Sequence, residues 1–349
     1  MLRIMQELEG ASLISSVFGQ FRWFDLAFLI PALVLMGLTY TDRGRYTPLV
    51  RAAGTALFGM FWFTQVLVYL SPGHQDIING LMSFLGGIFF LFIAYHFLLD
   101  HLWEERTRSL EWLLRTSVLT GGAYFVLEHV PVTQGALIYM VAWLTYLTLR
   151  LFGHDVMIEN HFPGSVGDGI VISSGDPSVD LPIRIVFACT AALALFLFAS
   201  AVMATRTDRN EWKGWALREL SRLKGSRNLL HRMKRNGIKN ILRMTDGQRK
   251  LYAILAVIPL IFVTNIFRNV GVIAVTFSGM IPFYDAHNIY AKMLSLGMMV
   301  FLTWMLFELL PELQEDVMGL FDLTKRVRKG MIKNGRMDLK YIRNTGEKR

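Results

Sequence analysis

A single cysteine, Cys189, stands among 349 residues. No disulfide can therefore close within the chain, and no zinc or iron–sulfur site can be built on several thiolates. Charge is scarce as well: 18% of the residues are Asp, Glu, Lys or Arg, against about 25% in an ordinary soluble domain. The charges gather in clusters, which leaves long uncharged runs between them. The first 20 residues lack a continuous apolar core and carry Glu7 and Glu9, which argues against a cleavable signal peptide. No internal repeat and no low-complexity tract is visible.

What fills the chain instead is apolar. Hydrophobic residues make up 53% and the mean hydropathy is +0.39. Several runs reach the roughly 20 residues that a helix needs to cross a bilayer. They are continuously apolar rather than alternating, so helices rather than barrel strands satisfy their backbone polar groups in lipid. Eight spans are expected, at 24–40, 49–70, 78–99, 113–130, 136–152, 183–204, 251–277 and 290–310. The expected class is all-α, a polytopic membrane bundle of about eight transmembrane helices with a small extracellular hairpin or lid. Its parts are N-terminal transmembrane helices (1–152), an extracellular acidic loop (153–182), a second helical unit (183–312) with a basic cytoplasmic loop at 205–250, and a basic cytoplasmic tail (313–349).

The net charge is +9 and the pI about 9.7. The location of that charge argues for a bilayer rather than nucleic acid as its partner. Residues 206–250 carry 14 Lys/Arg and residues 325–349 carry 10, together 24 of the 36 in the chain. Basic segments of membrane proteins stay cytoplasmic and meet anionic headgroups, so the last two spans begin and end on that side. Within 206–250, Trp212, Trp215, Leu217, Leu220 and Leu223 among many Lys/Arg suit amphipathic helices on the inner leaflet, or an arm for a partner protein. Residues 153–182 then face outward. They hold Asp155, Glu159, Asp168, Asp176 and Asp180 without one Lys or Arg, and Gly164–Gly169 followed by Ile-Val-Ile reads as a small hairpin. Eight spans conflict with this rule in the first half, since they put Arg43, Arg45 and Arg51, and likewise Arg106 and Arg108, on the outer side.

Three chemistry-bearing residues in the second half fall at one depth. Cys189 stands about 15 residues, or roughly 22 Å, from the inner end of its span, and Arg268 about 17 residues, or roughly 26 Å, from the inner end of the next. His287 precedes the eighth span at the same outer level. A cation near a thiol favours the nucleophilic thiolate. A histidine can take the thiol proton and return it to a leaving amine, and a guanidinium offers donors to a developing oxyanion. Asn265, three residues before Arg268, shares its helix face and can hold the guanidinium or meet substrate. Asp285 or Asn288 can orient His287. Each residue also has a structural reading: Cys189 as a small apolar filler, Arg268 and Arg184 as snorkelling anchors, Asn265 as a helix-to-helix bond, and His287 as an interfacial surface residue. His154 and His161 lack a third ligand in register, so no metal is expected.

The order of the motifs adds to this. Ala-Cys-Thr at 188–190, then Asn-Ile-Phe-Arg-Asn at 265–269, then His287 before the last span resembles the archaeosortase/exosortase family over residues 150–310. That family usually has glycine after Cys-Thr or Cys-Ser, where this chain has Ala191. The resemblance implies a membrane-embedded cysteine transpeptidase with Cys189 as nucleophile, His287 as general base and acid, and Arg268 as stabiliser of thiolate or oxyanion. Asn265, Thr190, Arg184 and Asn288 are its candidate substrate-binding residues, and no cofactor is implied. The implied substrate is a surface protein ending in a short motif of Pro-Gly-Phe type, a transmembrane helix and a basic end. A thioacyl intermediate would be resolved by a prenyl-derived lipid acceptor in the cell membrane, with the active site at the extracellular face and the C-terminus cytoplasmic. The alternatives are a permease or channel whose Arg268 and His287 bind an anionic solute, and a non-catalytic scaffold built on the basic loop.

Overall fold

The computed structural model describes residues 25–41, 44–71, 76–164, 168–179, 181–207, 209–222 and 244–326, with 231, 236, 238, 239 and 242 between the last two stretches. Helices dominate: α1 Asp25–Leu38, α2 Thr47–Tyr69, α3 Ile77–Leu102, α4 Arg108–His129, α5 Pro131–Leu151, α6 Ala192–Ala204, α7 Arg209–Arg222, α8 Asp246–Phe277, α9 Phe283–Leu309 and α10 Pro311–Phe321. Five of them, α2, α3, α5, α8 and α9, are long and apolar enough to cross a membrane. This is a helical multi-pass membrane protein.

Local chemistry sets the boundaries. Asp76 caps α3 by accepting from the Asn79 amide at 3.1 Å. Thr245 and Gln248 form a reciprocal capping box at the start of α8. Pro131 and Pro311 occupy first-turn positions of α5 and α10, where a missing N–H costs nothing. Leu310, before Pro311, is forced out of helical geometry (φ −134°, ψ 81°), which separates α10 from α9.

The sixth expected span, 183–204, is corrected. Its first residues are not helical: Ile183–Ile185 is a strand, Phe187–Thr190 a 3₁₀ turn, and only Ala192–Ala204 an α-helix. The strand closes a three-stranded antiparallel sheet in the order β1 (Val156–Ile158), β2 (Ile170–Ser174), β3 (Ile183–Ile185). Register pairs Val156 with Ser174 and Ile170 with Ile185. The glycine-rich stretch does precede a strand, as its hairpin reading requires, and residues 165–167 within it lie outside the described residues. The boundary drawn at 183 therefore divides one sheet. Apolar periodicity missed this because Ile-Arg-Ile-Val-Phe is equally hydrophobic as strand or helix.

The bundle has two distinct ends. At one, which we call the basic end, Arg249 meets Glu312 in a two-pronged buried pair, both bonds 2.9 Å. Arg51 reaches Glu111 at 3.2 Å, Arg108 reaches Asp316 at 2.8 Å, and Arg326 reaches Asp100 at 2.6 Å. At the other stand the sheet and the Lys292–Asp76 ion pair. Arg51 and Arg108 thus share an end with Arg249 and Arg326. The charge conflict of the eight-span count disappears. Arg43 lies outside the described residues.

The physical reason is α5. Helix α4 runs from the basic end to Tyr124, whose ring lies 5.3 Å from Phe187 in the 3₁₀ turn, and α5 begins beyond that level. Its first turns touch the chain after it, Gly135 fitting under Phe162 and Tyr139 bonding Asn160 at 3.1 Å. Its last turn does the same, through Arg150 and Asp155 at 2.8 Å. Ile138, Val141, Ala142 and Leu149 all pack into the cluster shared by the sheet and the far half of α8. Length and hydropathy suit α5 for crossing, yet its partners belong to the sheet end throughout.

Asp316 gives a pH-dependent consequence. Its Oδ1 accepts from Arg108, and Oδ2 has no partner among the described residues. Burial pushes the carboxyl up from 3.8 to about 6, with Arg108 pulling the other way. A folded-state value above the unfolded one means that the folded chain holds the proton more tightly. Its stabilising contribution is therefore present below about pH 4 and lost as pH rises through about 6. Unfolding free energy is expected to fall by roughly 3 kcal/mol at most across that window, and Asp316→Asn should flatten this part of the pH–stability curve in chemical denaturation. A slope unchanged by the substitution contradicts the assignment.

Candidate active site

Cys189 sits in a tight turn that the sequence builds from its own neighbours. The Cys189 amide donates to the Val186 carbonyl at 2.8 Å. The Thr190 hydroxyl donates to the Phe187 carbonyl at 2.7 Å and accepts from the Ala192 amide at 3.4 Å. Ala191 then reverses the chain into α6 with φ +58° and ψ 17°, the left-handed region. That conformation costs a residue with a Cβ roughly 1–2 kcal/mol and glycine almost nothing. Glycine at this position would adopt the same angles without that cost. Ala191→Gly is expected to raise unfolding free energy by about 0.5–1 kcal/mol, after the added freedom of the unfolded chain is subtracted. Equilibrium unfolding in detergent measures this, and a loss of stability contradicts a strained turn.

Helix α8 supplies the opposite wall. Asn265 and Asn269, one turn apart on its buried face, both donate through Nδ2 to the Cys189 carbonyl, at 2.8 and 3.0 Å. Both acceptor sites of one carbonyl oxygen are thus occupied, and the backbone carrying the thiol is pinned to α8. Asn265 is therefore engaged with the backbone of Cys189 rather than with the guanidinium or an open cleft. Asn269 was absent from the sequence candidates. The signal was present, since an asparagine four residues after Asn265 must share its face.

Arg268 stands between the two amides in sequence. Its Nη1 donates to Asn269 Oδ1 at 3.3 Å, and its Nε is buried without a partner among the described residues. The guanidinium lies within electrostatic reach of the Cys189 thiol and of the His287 imidazole. Cys189 and Arg268 were expected at one depth on neighbouring elements, and the double amide bond brings those elements together.

His287 occupies a π-helical turn, Ala286–Tyr290, near the start of α9. Such turns insert a residue into the helical ladder and recur at functional sites. Its ring stacks on Phe283, centroids 5.4 Å apart and planes 17° from parallel. Lys292 and Asp76 complete its charged surroundings. Neither Asp285 nor Asn288 is hydrogen-bonded to the ring among the described residues, so aromatic stacking takes the orienting role expected of them.

The remaining candidates sit apart from the thiol's environment or are otherwise engaged. The Thr190 hydroxyl is fully buried within its own turn. Arg184 lies on β3 opposite Val171, not at a helix start. Its stem lies over Gly169, where a Cβ would come within 2.6 Å of Arg184 Cγ. Asn288 is half-buried in the π turn. His154 and His161 are not part of any group of three metal-binding side chains among the described residues. Cys189 itself is only 7% exposed, packed in the cluster with Phe187, Ile266 and Val270. The openly accessible thiol expected of an outer-surface nucleophile is thus not what the fold presents, because α5 and the sheet cover the turn.

No protein-family model, curated protein or solved structure matches this chain.

Proposed function

We propose that this protein is a membrane-embedded cysteine transpeptidase of archaeosortase type. One observation carries the reading: two asparagine amides fix the Cys189 carbonyl against α8, beside an arginine whose charge is felt at both the thiol and His287. A filler cysteine needs no such anchorage. The basic end, with its paired arginines, among them Arg206 and Arg249 at the two ends of the basic loop, faces the cytoplasm under the positive-inside rule. The sheet and α5 then form an extracellular cap over the site, and α1 to α4, α6, α8 and α9 make seven crossings, α1 and α6 being short.

The chemistry balances as follows. The Cys189 sulfur attacks the carbonyl carbon of the scissile peptide while His287 takes the thiol proton. The tetrahedral oxyanion lies against the Arg268 guanidinium, whose planar fork suits it. As the C–N bond breaks, His287 returns that proton to the leaving amine, and the acyl group stays on sulfur as a thioester. An acceptor hydroxyl on a prenyl-derived lipid then attacks the thioester and yields its proton to His287. The C–S bond breaks and the thiolate recovers the proton. The substrate is a surface protein ending in a Pro-Gly-Phe-type motif, a transmembrane helix and a basic end. Cys189 is buried beneath α5 and the sheet, so substrate has to enter beneath the cap.

A tagged substrate of that design, co-expressed with the full chain, tests the reading. Intact mass analysis is expected to find an acyl adduct on Cys189 that neutral hydroxylamine removes. Substrate matured normally, with Cys189 unmodified under acceptor-limited conditions, overturns it.

A further inference from the structure

His287 is carried by α9, whereas the double amide bond ties Cys189 to α8. A base on one helix serves a nucleophile held by another only if the turn that carries it is fixed in place. Two sets of contacts do this, and the π turn creates both. In a regular α-helix, residues five apart lie about 140° from each other around the axis. Here the Ala291 amide donates to the Ala286 carbonyl, five residues back, and the extra residue in the turn draws such pairs toward a common face. Ala286 and Ala291 accordingly bury together against Val272 of α8. His287 and Lys292, each one residue further on, stand in the same relation, and the Lys292 charge is felt at the imidazole.

The Lys292 ammonium is itself anchored. It donates to Asp76 Oδ2, and the same carboxylate accepts from the Asn79 amide at 3.1 Å and from the Asn79 side chain at 2.9 Å. One acid thus caps α3 and holds α9. The Lys292 and Asp76 side chains are only 17% and 15% exposed, so solvent screens them less than a surface pair. Apolar packing on Val272 is non-directional and leaves the turn free to roll about the α9 axis. An ion pair to a separate helix stops that roll.

We propose that Lys292 and Asp76 are positioning residues for His287, a latch from α3 to α9 that aims the imidazole at the Cys189 sulfur. The inference rests on the transpeptidase reading, in which His287 moves the thiol proton. Purified full chain and a tagged substrate in detergent give kcat and KM for each variant. Lys292→Met and Asp76→Asn are each expected to lower kcat roughly 10–100-fold, the cost of a misplaced base, and to leave KM within about twofold. Asparagine caps a helix as well as aspartate does, so Asp76→Asn keeps α3 intact, and a melting curve checks this. Lys292→Arg keeps the pairing charge and should recover most of the rate. The same substitutions are then made beside His287→Ala, where they should change the residual rate by less than about twofold. A further loss on that background shows a structural role and overturns the latch. Wild-type kcat in Lys292→Met and Asp76→Asn, beside a slow His287→Ala, overturns the latch alone. Wild-type kcat in His287→Ala overturns the transpeptidase reading and the latch with it.

Discussion

Cys189→Ser is expected to leave the protein inserted and folded while maturation of a tagged substrate falls by at least about 10³-fold, since a hydroxyl at the same position is a far weaker nucleophile. The substitution is nearly isosteric, and the bonds that hold the turn are made by the backbone carbonyl of residue 189 and not by sulfur. Loss of activity therefore separates from loss of fold. Arg268→Ala should be as severe, and Arg268→Lys should recover only part, because an ammonium keeps the charge but not the planar fork. Insertion is checked by membrane fractionation and a melting curve in detergent. Substrate processed at wild-type rate by either Cys189→Ser or Arg268→Ala refutes the transpeptidase reading.

Glu312→Ala should cost about 3–5 kcal/mol, the largest stability loss from any single polar replacement at the basic end. Arg249 and Glu312 are each 2% exposed and joined by two parallel bonds of 2.9 Å. Removing the carboxylate leaves a buried guanidinium without its two-pronged partner, with Asp246 3.9 Å away. Removing both charges is different: Arg249→Met with Glu312→Leu gives up the attraction and the desolvation cost together, so the double variant should recover most of the lost stability. Equilibrium unfolding of both variants in the same detergent decides this. A double variant as unstable as Glu312→Ala alone shows that the pair does more than neutralise itself.

Much of the candidate site was legible in the sequence, for definable reasons. One cysteine leaves no choice of thiol, and counting 1.5 Å per residue from clusters of Lys/Arg puts Cys189 and Arg268 at matching depth. Asn265 was visible as a polar residue on the Arg268 face. Its partner was not, because a side-chain amide names a donor and never its acceptor. Thr190 illustrates the same limit: its hydroxyl reads as a substrate contact until the 3₁₀ turn shows it bonded to Phe187. Ala191 reads as an ordinary small residue, and only the backbone angle of +58° shows that it stands where glycine would be unstrained.

By itself, the amino-acid sequence determined that this chain crosses a membrane on helices, because lipid permits few ways to satisfy a continuous run of apolar residues. It also identified which segments are basic. Tertiary structure alone decided which groups share an end of the bundle. Hydropathy measures the transfer of a segment out of water but not what it packs against, so α5 reads as apolar enough to span, and only the structure shows its contacts with the sheet. The same blindness hid β3 within a helix-like run. Packing partners, not local hydrophobicity, set both.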